Sequence, residues 1–545
     1  IKSNPNPKFQ TLISPCIGVM IRSIQRMIAI ALAVGLVVIS VALAMAMAIA
    51  PGLVRSVQEE RRPSPGTYGC RSDLDCNLNG ICNTTEKICI CDAAWSAASN
   101  CSALRLLPTT IRSGYRPRDT SSWGGSVHYS DEKDGGDGLY HLYPAEITHH
   151  CGLTAWQTNS RVVHATSKTL EGPYEFRDEV LGVWSHNPQL LRVPVPVPVP
   201  RNDTNRKDNR TVLLLLSAGY GNGPYGTGMQ GPPQICGPTG CCSHGTSPCG
   251  IHRGHPCPER GNWPPLDPPD PRARNPLGRY QNVTVLVSPS GSPNGPWVPA
   301  VLPLIEHESS HQYTPTGVAF PNGTVVLWLI GGGGGLFRAD HWEGPYERWG
   351  DPSNRENNDL QWGCSTSSSG GEDPFVYLDA RGHWHCLFHA GPYFDLRVAG
   401  GHAFSLDGTT WHTTPTPAYC GDWIDEIIDE NGNENDNGIG IGNGNDSSSS
   451  GNTRSKSRAQ ERVIRTRIAK RERPHLVFGD DGTTIVALST GVCRGTDWHL
   501  CNNNPWPGGF DRTVTHVQLV ATATATNTHR NNNTSNNNNN NNNNN

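Results

Sequence analysis

The stretch Glu372-Asp373-Pro374-Phe375-Val376-Tyr377-Leu378, followed by a turn at Gly382 and by residues 383–389, carries the pattern that predicts the fold. A proline-containing triplet opens a short apolar strand, and a glycine turn leads into a second strand. The pattern recurs at His186-Asn187-Pro188, Thr314-Pro315-Thr316 and Glu472-Arg473-Pro474, with a degenerate copy at Trp123-Gly124-Gly125-Ser126. Five copies predict an all-β, five-bladed β-propeller whose inner strands start around one central pocket.

The composition agrees with an all-β protein. The 545 residues include 60 Gly and 44 Pro, and only 17% of them are charged, so the chain is rich in turns and poor in helix formers. The net charge of −4 gives no reason to expect a nucleic acid or an anionic membrane surface as partner. A small or neutral ligand is the expectation.

The N-terminal region contains one long apolar run. No charged residue lies between Met27 and Ala50, and Arg22 and Arg26 precede the run. A helix of 24 residues at about 1.5 Å per residue is long enough to cross a bilayer core of ~30 Å. We therefore expect a cytoplasmic or upstream segment (1–26), a signal anchor or signal peptide (27–50) and a linker (51–69). The protein is then either a single-pass membrane protein with its domains outside, or secreted.

Six cysteines lie within a segment too short to form a hydrophobic core, so disulfides are expected to hold it. They are Cys70, Cys76, Cys82, Cys89, Cys91 and Cys101. A zinc site is the rival interpretation, but no histidine lies in residues 70–101 and the expected compartment is oxidising.

Together with Leu78-Asn79-Gly80-Ile81-Cys82 and Cys89-Ile90-Cys91-Asp92-Ala93-Ala94-Trp95, the cysteine spacing resembles an epidermal-growth-factor-like (EGF-like) domain over residues 70–101. The resemblance implies pairing of the first cysteine with the third, the second with the fourth and the fifth with the sixth. It also implies a spacer or interaction module, through which protein partners could bind.

Glycosylation sequons also indicate export, and those at Asn282 and Asn322 border predicted strands, so a glycoprotein is expected. Eleven further cysteines follow the small module, and five of them crowd into the Gly/Pro-rich residues 220–279. The histidines in that segment allow a metal site, but a disulfide-stapled surface loop is the favoured interpretation.

The propeller is expected to span residues 105–526, with four short strands per blade. Insertions are expected at 220–279 and at 425–471, and the asparagine-rich residues 527–545 are expected to be a disordered tail. The fifth blade has no clear fourth strand of its own. Residues 105–111 are expected to supply that strand and to close the ring.

The five blades, the acidic residue before Asp/Arg-Pro and the sequence Ala165-Thr166-Ser167-x-x-Leu170-x-Gly172-Pro173-Tyr174 resemble the propellers of the glycoside hydrolase family 43 superfamily. That group includes arabinanases, xylosidases and, more distantly, invertases. The resemblance covers roughly residues 115–525 as a pattern and implies glycosidic cleavage by a carboxylate pair, with a third carboxylate that tunes the acid.

Strand starts and the ends of neighbouring antiparallel strands share one face, so we expect one mouth with Glu372 as acid and Glu472 as its partner carboxylate. The residues expected to bind substrate are Trp123, His186, Asn187, Glu146 and His389. Asp373 is expected to point away, because adjacent strand residues alternate faces. Either glutamate could instead serve only as an ion-pair partner, for example of Arg473.

One departure keeps two functions open. Family 43 places its base Asp at the start of the first inner strand, where this chain has Trp123-Gly124-Gly125-Ser126. A glycan-cleaving enzyme and a non-catalytic glycan-binding or adhesion protein both fit, each with an oligo- or polysaccharide partner. No cofactor and no catalytic metal are expected, although a central structural ion is left open.

Overall fold

The structure is a computed structural model. It describes residues 69–117, 120–148, 151–183, 185–196, 209–219, 235–237, 240–242, 283–300, 314–330, 335–349, 372–389, 398–421, 423–428, 462–496, 501 and 513–522. The segments 1–26 and 27–50, nearly all of 51–69, most of 220–279 and the tail 527–545 lie outside this set. Within the described ranges, no helix has the length and apolarity needed to span a bilayer.

The first elements form a small disulfide-rich module at residues 70–101. It contains the 3-10 helices Asp73–Cys76 and Ala97–Ser99 and the antiparallel strands β1 (Gly80–Asn83) and β2 (Ile88–Cys91). Its three disulfides are Cys70–Cys82, Cys76–Cys89 and Cys91–Cys101, so the expected pairing is confirmed.

Strand β3 (Thr109–Thr110) leads into the first two blades. Blade 1 consists of β4 (Ser121–Tyr129), β5 (Tyr140–Ile147), β6 (Ser160–Ser167) and β7 (Glu175–Leu181). Blade 2 consists of β8 (Ser185–Pro196), β9 (Asn209–Gly219), β12 (Val283–Ser288) and β13 (Val298–Pro299). The hairpin between β9 and β12 consists of β10 (Ile235–Gly237) and β11 (Gly240–Cys242). The helices of this region are Glu132–Asp134 and Leu153–Ala155 (both 3-10) and α1 (Trp156–Asn159).

The remaining blades follow the same antiparallel order. Blade 3 consists of β14 (Thr314–Ala319), β15 (Val325–Ile330), β16 (Gly335–Ala339) and β17 (Glu347–Arg348). Blade 4 consists of β18 (Glu372–Leu378), β19 (Trp384–His389), β20 (Gly400–Ser405) and β21 (His412–Thr413). Blade 5 contains β22 (Trp423–Ile428), β23 (Arg462–Phe478), β24 (Ile485–Arg494) and β25 (Thr513–Leu519).

The inner strands form a closed ring of contacts: β4 with β8, β8 with β14, β14 with β18, β18 with β23, and β23 with β4. The five-bladed β-propeller is therefore confirmed. Apolar clusters fill the space between neighbouring blades, as expected for sheets that pack face to face. The Gly-Pro-Tyr repeats contribute buried rings to these junctions, with Tyr174 at 4% and Tyr346 at 2% exposure.

The chain segment before blade 1 closes the ring, as expected. Leu106 forms an antiparallel bridge with Val520, and the Leu107 amide donates to the Leu519 carbonyl at 2.9 Å. Counted outward from β23 through β24 and β25, residues near 105–107 therefore supply the fourth, outer strand of blade 5, whereas β22 pairs with the first part of β23. The N-terminal and C-terminal parts of the propeller are held together by backbone hydrogen bonds.

Strand β23 is unusually long and has two partners. Its second half pairs with β24, and its first six residues, Arg462 to Arg467, pair with β22. These paired strands occupy the two ends of segment 425–471, which the sequence predicts to be a disordered insertion. Apolar residues such as Ile424 and Ile468 pack against blade 5, which explains the ordered ends.

Candidate active site

Four of the five inner strands begin with the same backbone distortion. The middle residue of each opening triplet has a positive φ, and the pairing register shifts at that point. These residues are Gly124 (67°), Asn187 (52°), Asp373 (52°) and Arg473 (56°). Such a β-bulge adds one residue to the strand and re-aims its side chain. Asn, Asp and Gly tolerate positive φ best, so an arginine at the bulged position 473 is uncommon.

The bulged residues contact one another or a neighbouring inner strand. Arg473 Nη1 lies 3.6 Å from Asp373 Oδ1, and Asn187 Nδ2 donates to Thr314 Oγ1 at 3.1 Å. Gly124 leaves room for Arg473, because a Cβ at residue 124 would lie 2.8 Å from the Arg473 Cβ. The repeated bulge thus brings a carboxylate, a guanidinium and an amide to the propeller axis.

His389 connects the two glutamates that the sequence singled out. Strand pairing places Glu372, at the start of β18, opposite His389, at the end of β19. The Nδ1 atom of the ring lies 3.7 Å from Glu372 Oε2, and its Nε2 atom lies 3.6 Å from Glu472 Oε1. The two glutamates therefore flank a histidine and do not face each other directly.

The charges of this cluster favour a protonated histidine beside an ionised glutamate. The adjacent His389 ring lowers the pKa of Glu372, whose side chain is 69% exposed. Burial opposes charge on His389, but Glu372, Glu472 and Asp373 outweigh it and raise the pKa of the ring. Burial also raises the pKa of Asp373, and Arg473 offsets only part of that shift.

Several buried polar atoms at the axis have no hydrogen-bond partner among the described residues. They are both ring nitrogens of His389, Nε and Nη1 of Arg473, Oδ1 of Asn187 and Nε2 of His186. An unpaired buried polar group costs about 1–3 kcal/mol, so a cluster of them indicates a site that receives water or a polar ligand. This concentration identifies the axis as the candidate active site.

The roles predicted for the two glutamates differ from what the structure offers. A general acid needs a raised pKa, whereas that of Glu372 is lowered, so the predicted acid role does not fit. Glu472 is 6% exposed and pairs with Lys470 Nζ at 2.7 Å. Its carboxylate is held by a cation instead of facing an open pocket.

Two predicted substrate-binding residues are occupied elsewhere. Trp123 is 1% exposed, and Gly491 and Lys470 cover its ring, so it offers no free face to a sugar. Glu146 is buried and accepts hydrogen bonds from the Tyr115 hydroxyl and from Arg161 Nε, at 2.5 and 2.9 Å. Both residues stabilise the blades.

The other predicted binding residues lie at or near the axis. Asn187 is one of the bulged residues, and His389 is at the centre of the cluster. His186 is fully buried, and its Nδ1 lies 2.6 Å from Ser160 Oγ. Burial lowers the pKa of His186 well below its usual range, which makes it a neutral ring.

Sequence reasoning did not assign Asp373, Arg473 or Lys470 to the site. It placed Asp373 on the far face because regular strands alternate, and the bulge breaks that alternation. A signal was present in the repeated middle position, where Asn187 and Asp373 are residue types that accept positive φ. Lys470 carried no such signal, because only the folded strand sets it beside Glu472.

Carboxylate oxygens of Glu372 and Asp373 and a ring nitrogen of His389 all lie within 4.8 Å of one another, which would suit a cation. The same carboxylates raise the pKa of His389, so a proton on the ring is the alternative to a cation. A separate cleft of about 630 Å³ lies between blades 2 and 3, lined mostly by apolar residues such as Val195 and Trp342.

Comparisons with known proteins give weak likenesses only. No protein-family model and no curated protein matches the chain. A family 117 glycoside hydrolase produced by the marine bacterium Zobellia galactanivorans is 11% identical, with a TM-score of 0.35, over 76% of this chain and 90% of that one. An endo-arabinase from Bacteroides thetaiotaomicron is 12% identical, with a TM-score of 0.32, over 76% and 97%. A GH43_1 enzyme from Xanthomonas citri is 12% identical, with a TM-score of 0.27, over 58% and 82%. At this level of similarity, no residue role is transferred from them.

Proposed function

We propose that this protein is a glycoside hydrolase-like enzyme that cleaves an oligo- or polysaccharide in the axial pocket of its propeller. The observation that carries the proposal is the pair formed by Glu372 and His389. One group is an exposed carboxylate with a lowered pKa, and the other is a buried ring with a raised pKa, 3.7 Å away. Glycosidic cleavage needs an acid and a base that differ in this way.

In the proposed reaction, His389 gives its proton to the glycosidic oxygen as the bond to the sugar carbon breaks. Glu372 takes a proton from the water that attacks the same carbon, so one water is added across the bond. Glu372 is largely exposed and can turn aside to admit the sugar between itself and the ring. Glu472 and Asp373 favour the protonated form of the ring before the reaction.

The other axial groups supply sugar contacts. Arg473 has unpartnered N–H groups, and Asn187 has an unpartnered carbonyl oxygen. Sugar hydroxyls both donate and accept hydrogen bonds, so they can satisfy both groups at once. Burial of these groups without hydrogen bonds destabilises the free protein, and hydrogen bonds to the bound substrate offset that cost.

The test is hydrolysis of a panel of plant and algal polysaccharides by the purified chain and by Glu372→Gln. We expect the wild type to release reducing ends from one polysaccharide and the variant to lose roughly 100-fold or more of that rate. The control is Glu343→Gln, because Glu343 is also exposed and lies 3.6 Å from a histidine, His341, far from the axis. Equal rates for Glu372→Gln and the control would contradict the mechanism.

A non-catalytic glycan-binding protein is the second candidate. It is favoured by the absence of a carboxylate at the bulges of blades 1 and 2, where Gly124 and Asn187 stand, and by the Lys470 pairing of Glu472. Retention of one polysaccharide by both wild type and Glu372→Gln, without cleavage, would support it.

Extracellular or membrane-anchored location through residues 27–50 is part of the proposal, as is an EGF-like identity for residues 70–101. The support is chemical. Disulfides persist in oxidising compartments, and the described residues include Cys493–Cys501 in addition to the three of the small module. Proteins that bind the module are proposed on the same basis.

A further inference from the structure

The turn between β18 and β19 brings together one carboxylate and two imidazoles. Asp379 Oδ2 lies 3.2 Å from His383 Nδ1 and 3.6 Å from His385 Nε2, and ligand atoms of all three residues lie within 4.8 Å of one another. Glu372 starts β18 at the mouth, so this turn, after Leu378, lies at the opposite end of the blade. The group is therefore separate from the candidate active site.

His385 has an orphaned nitrogen that points into this group. The residue is 1% exposed, and its Nε2 has no hydrogen-bond partner among the described residues. Its Nδ1 lies 3.0 Å from Nε2 of the buried His402. The Asn79 amide nitrogen donates to the Cys101 carbonyl at 2.9 Å and lies 3.5 Å from His402 Nδ1, so His402 carries its proton on Nε2 and donates it to His385 Nδ1. His385 Nε2 then carries a proton in the metal-free protein, and a metal ion that binds this nitrogen displaces that proton.

Blade 1 contains the same pair of histidines, and there the second ring nitrogen has a hydrogen-bond partner. His141 and His164 occupy the matching strands, and their facing nitrogens lie 2.8 Å apart. There, His141 Nε2 is hydrogen-bonded to Asp137 Oδ1 at 2.9 Å, and the position two residues before it is Leu139. In blade 4 the carboxylate that faces the ring belongs to Asp379, six residues before His385 instead of four, and it lies 3.6 Å away. A second histidine, His383, replaces that leucine.

We propose that Asp379, His383 and His385 bind one divalent transition-metal ion of the Zn²⁺ type, with a water as fourth ligand. Zinc bonds of about 2.0–2.1 Å in a tetrahedron separate neighbouring ligand atoms by about 3.3 Å. The two distances from Asp379 Oδ2, 3.2 and 3.6 Å, bracket that value. Two imidazoles and one carboxylate also bind first-row transition metals in preference to Ca²⁺ or Mg²⁺, which prefer oxygen ligands.

Arg381 links this site to the disulfide-rich module. Its Nε donates to Asp379 Oδ2 at 2.8 Å, and its two terminal nitrogens bind the Asp92 carboxylate at 3.1 and 2.6 Å. Nη2 also donates to the Leu78 carbonyl at 2.7 Å. A metal on Asp379 would fix the turn that presents Arg381 to the module. The same guanidinium places a positive charge beside the ion, so it weakens metal affinity.

The experiment is a Co²⁺ titration of the metal-stripped full chain, followed by visible absorption and then by displacement with Zn²⁺. We expect the wild type to bind one more equivalent of Co²⁺ than His383→Ala binds. This additional equivalent should have the visible spectrum of tetrahedral Co²⁺. His383→Ala should lose this equivalent or bind it at least about tenfold more weakly. His341→Ala is the control, because His341 is a partly exposed histidine 3.6 Å from a carboxylate in another blade.

Arg381→Gln provides a second, independent reading, because removal of the neighbouring cation should strengthen Co²⁺ binding. Thermal unfolding of the stripped proteins shows that the variants are folded, and added Zn²⁺ should raise the midpoint of the wild type but not of His383→Ala. Titrations that are identical for wild type and His383→Ala would overturn the proposal, whatever metal the rest of the chain binds.

Discussion

At the scale of single residues, the reactivity of the axis depends on a ring held between carboxylates. His389 gains its raised pKa from Glu372, Glu472 and Asp373, against the cost of its own burial. Glu372 takes the opposite shift from the same contact. The two groups therefore hold opposite charges over a wide pH range, which suits an acid and a base.

The pH dependence of hydrolysis follows from these directions. Activity needs Glu372 ionised and His389 protonated, so a plot of kcat/KM against pH should have two limbs. The rising limb should lie below about pH 4.3 and the falling limb above about pH 6.5, because these are the ordinary pKa values of Glu and His. In His389→Gln, the residual activity should have no alkaline limb. An alkaline limb that persists unchanged in this variant would assign the acid to another residue.

Glu472 should act on stability more than on chemistry. Its replacement by Gln leaves Lys470, now 2.7 Å from Glu472, without its partner in a largely buried position. We expect Glu472→Gln to lower the free energy of unfolding by about 1.5–3 kcal/mol, whereas Glu372→Gln should change it little because Glu372 is exposed. Urea denaturation of the two variants measures the difference. If Glu472→Gln lowers the free energy of unfolding no more than Glu372→Gln does, the ion pair with Lys470 does not stabilise the fold.

At the scale of elements, the repeated β-bulge builds the site. The substitution Asn187→Val should destabilise the fold by about 1–2 kcal/mol more than Asn187→Gly, because a β-branched residue resists the φ of 52°. Both variants lose the hydrogen bond to Thr314, so their difference isolates the backbone effect. Equal unfolding midpoints in urea would show that blade 2 does not need the bulge.

The strands were predictable because their apolar runs and turns are local. Strand β18 was predicted at residues 372–378, where it lies, and residues 105–107 close the ring as expected. The site was less predictable, because a bulge changes which face a residue occupies without changing the pattern. Asp373 was expected to point away from the site, and the bulge places it there. Trp123 was expected to bind sugar, but Gly491 has no side chain, so the backbone of blade 5 covers the Trp123 ring.

At the scale of the whole molecule, buried neutral histidines should make the protein sensitive to acid. Burial lowers the pKa of His164 and of His475 to about 4, and it lowers those of His186 and His516 well below their usual range. Because the unfolded chain takes up protons near pH 6.5, stability is full above that pH and falls towards pH 4. Each such histidine should lower the free energy of unfolding by about 2 kcal/mol at pH 5, relative to its value above pH 6.5.

Urea unfolding at pH 7 and pH 5 measures this loss, and the midpoint should be lower at pH 5. His389 does not contribute in this window, because a raised pKa removes stability only above pH 6.5. The matched variant His475→Gln should show a smaller drop between the two pH values. A midpoint that does not change with pH in the wild type would contradict the neutral assignment of these rings.

Glycan is expected to bind at the propeller axis, beside His389 and Arg473. The most direct measurement is a crystal structure of Glu372→Gln with an oligosaccharide from the polysaccharide that the protein cleaves or retains. We expect sugar on the axis, with oxygens within hydrogen-bond distance of the His389 ring and the Arg473 guanidinium. Sugar bound in the cleft between blades 2 and 3, with none at the axis, would contradict this expectation.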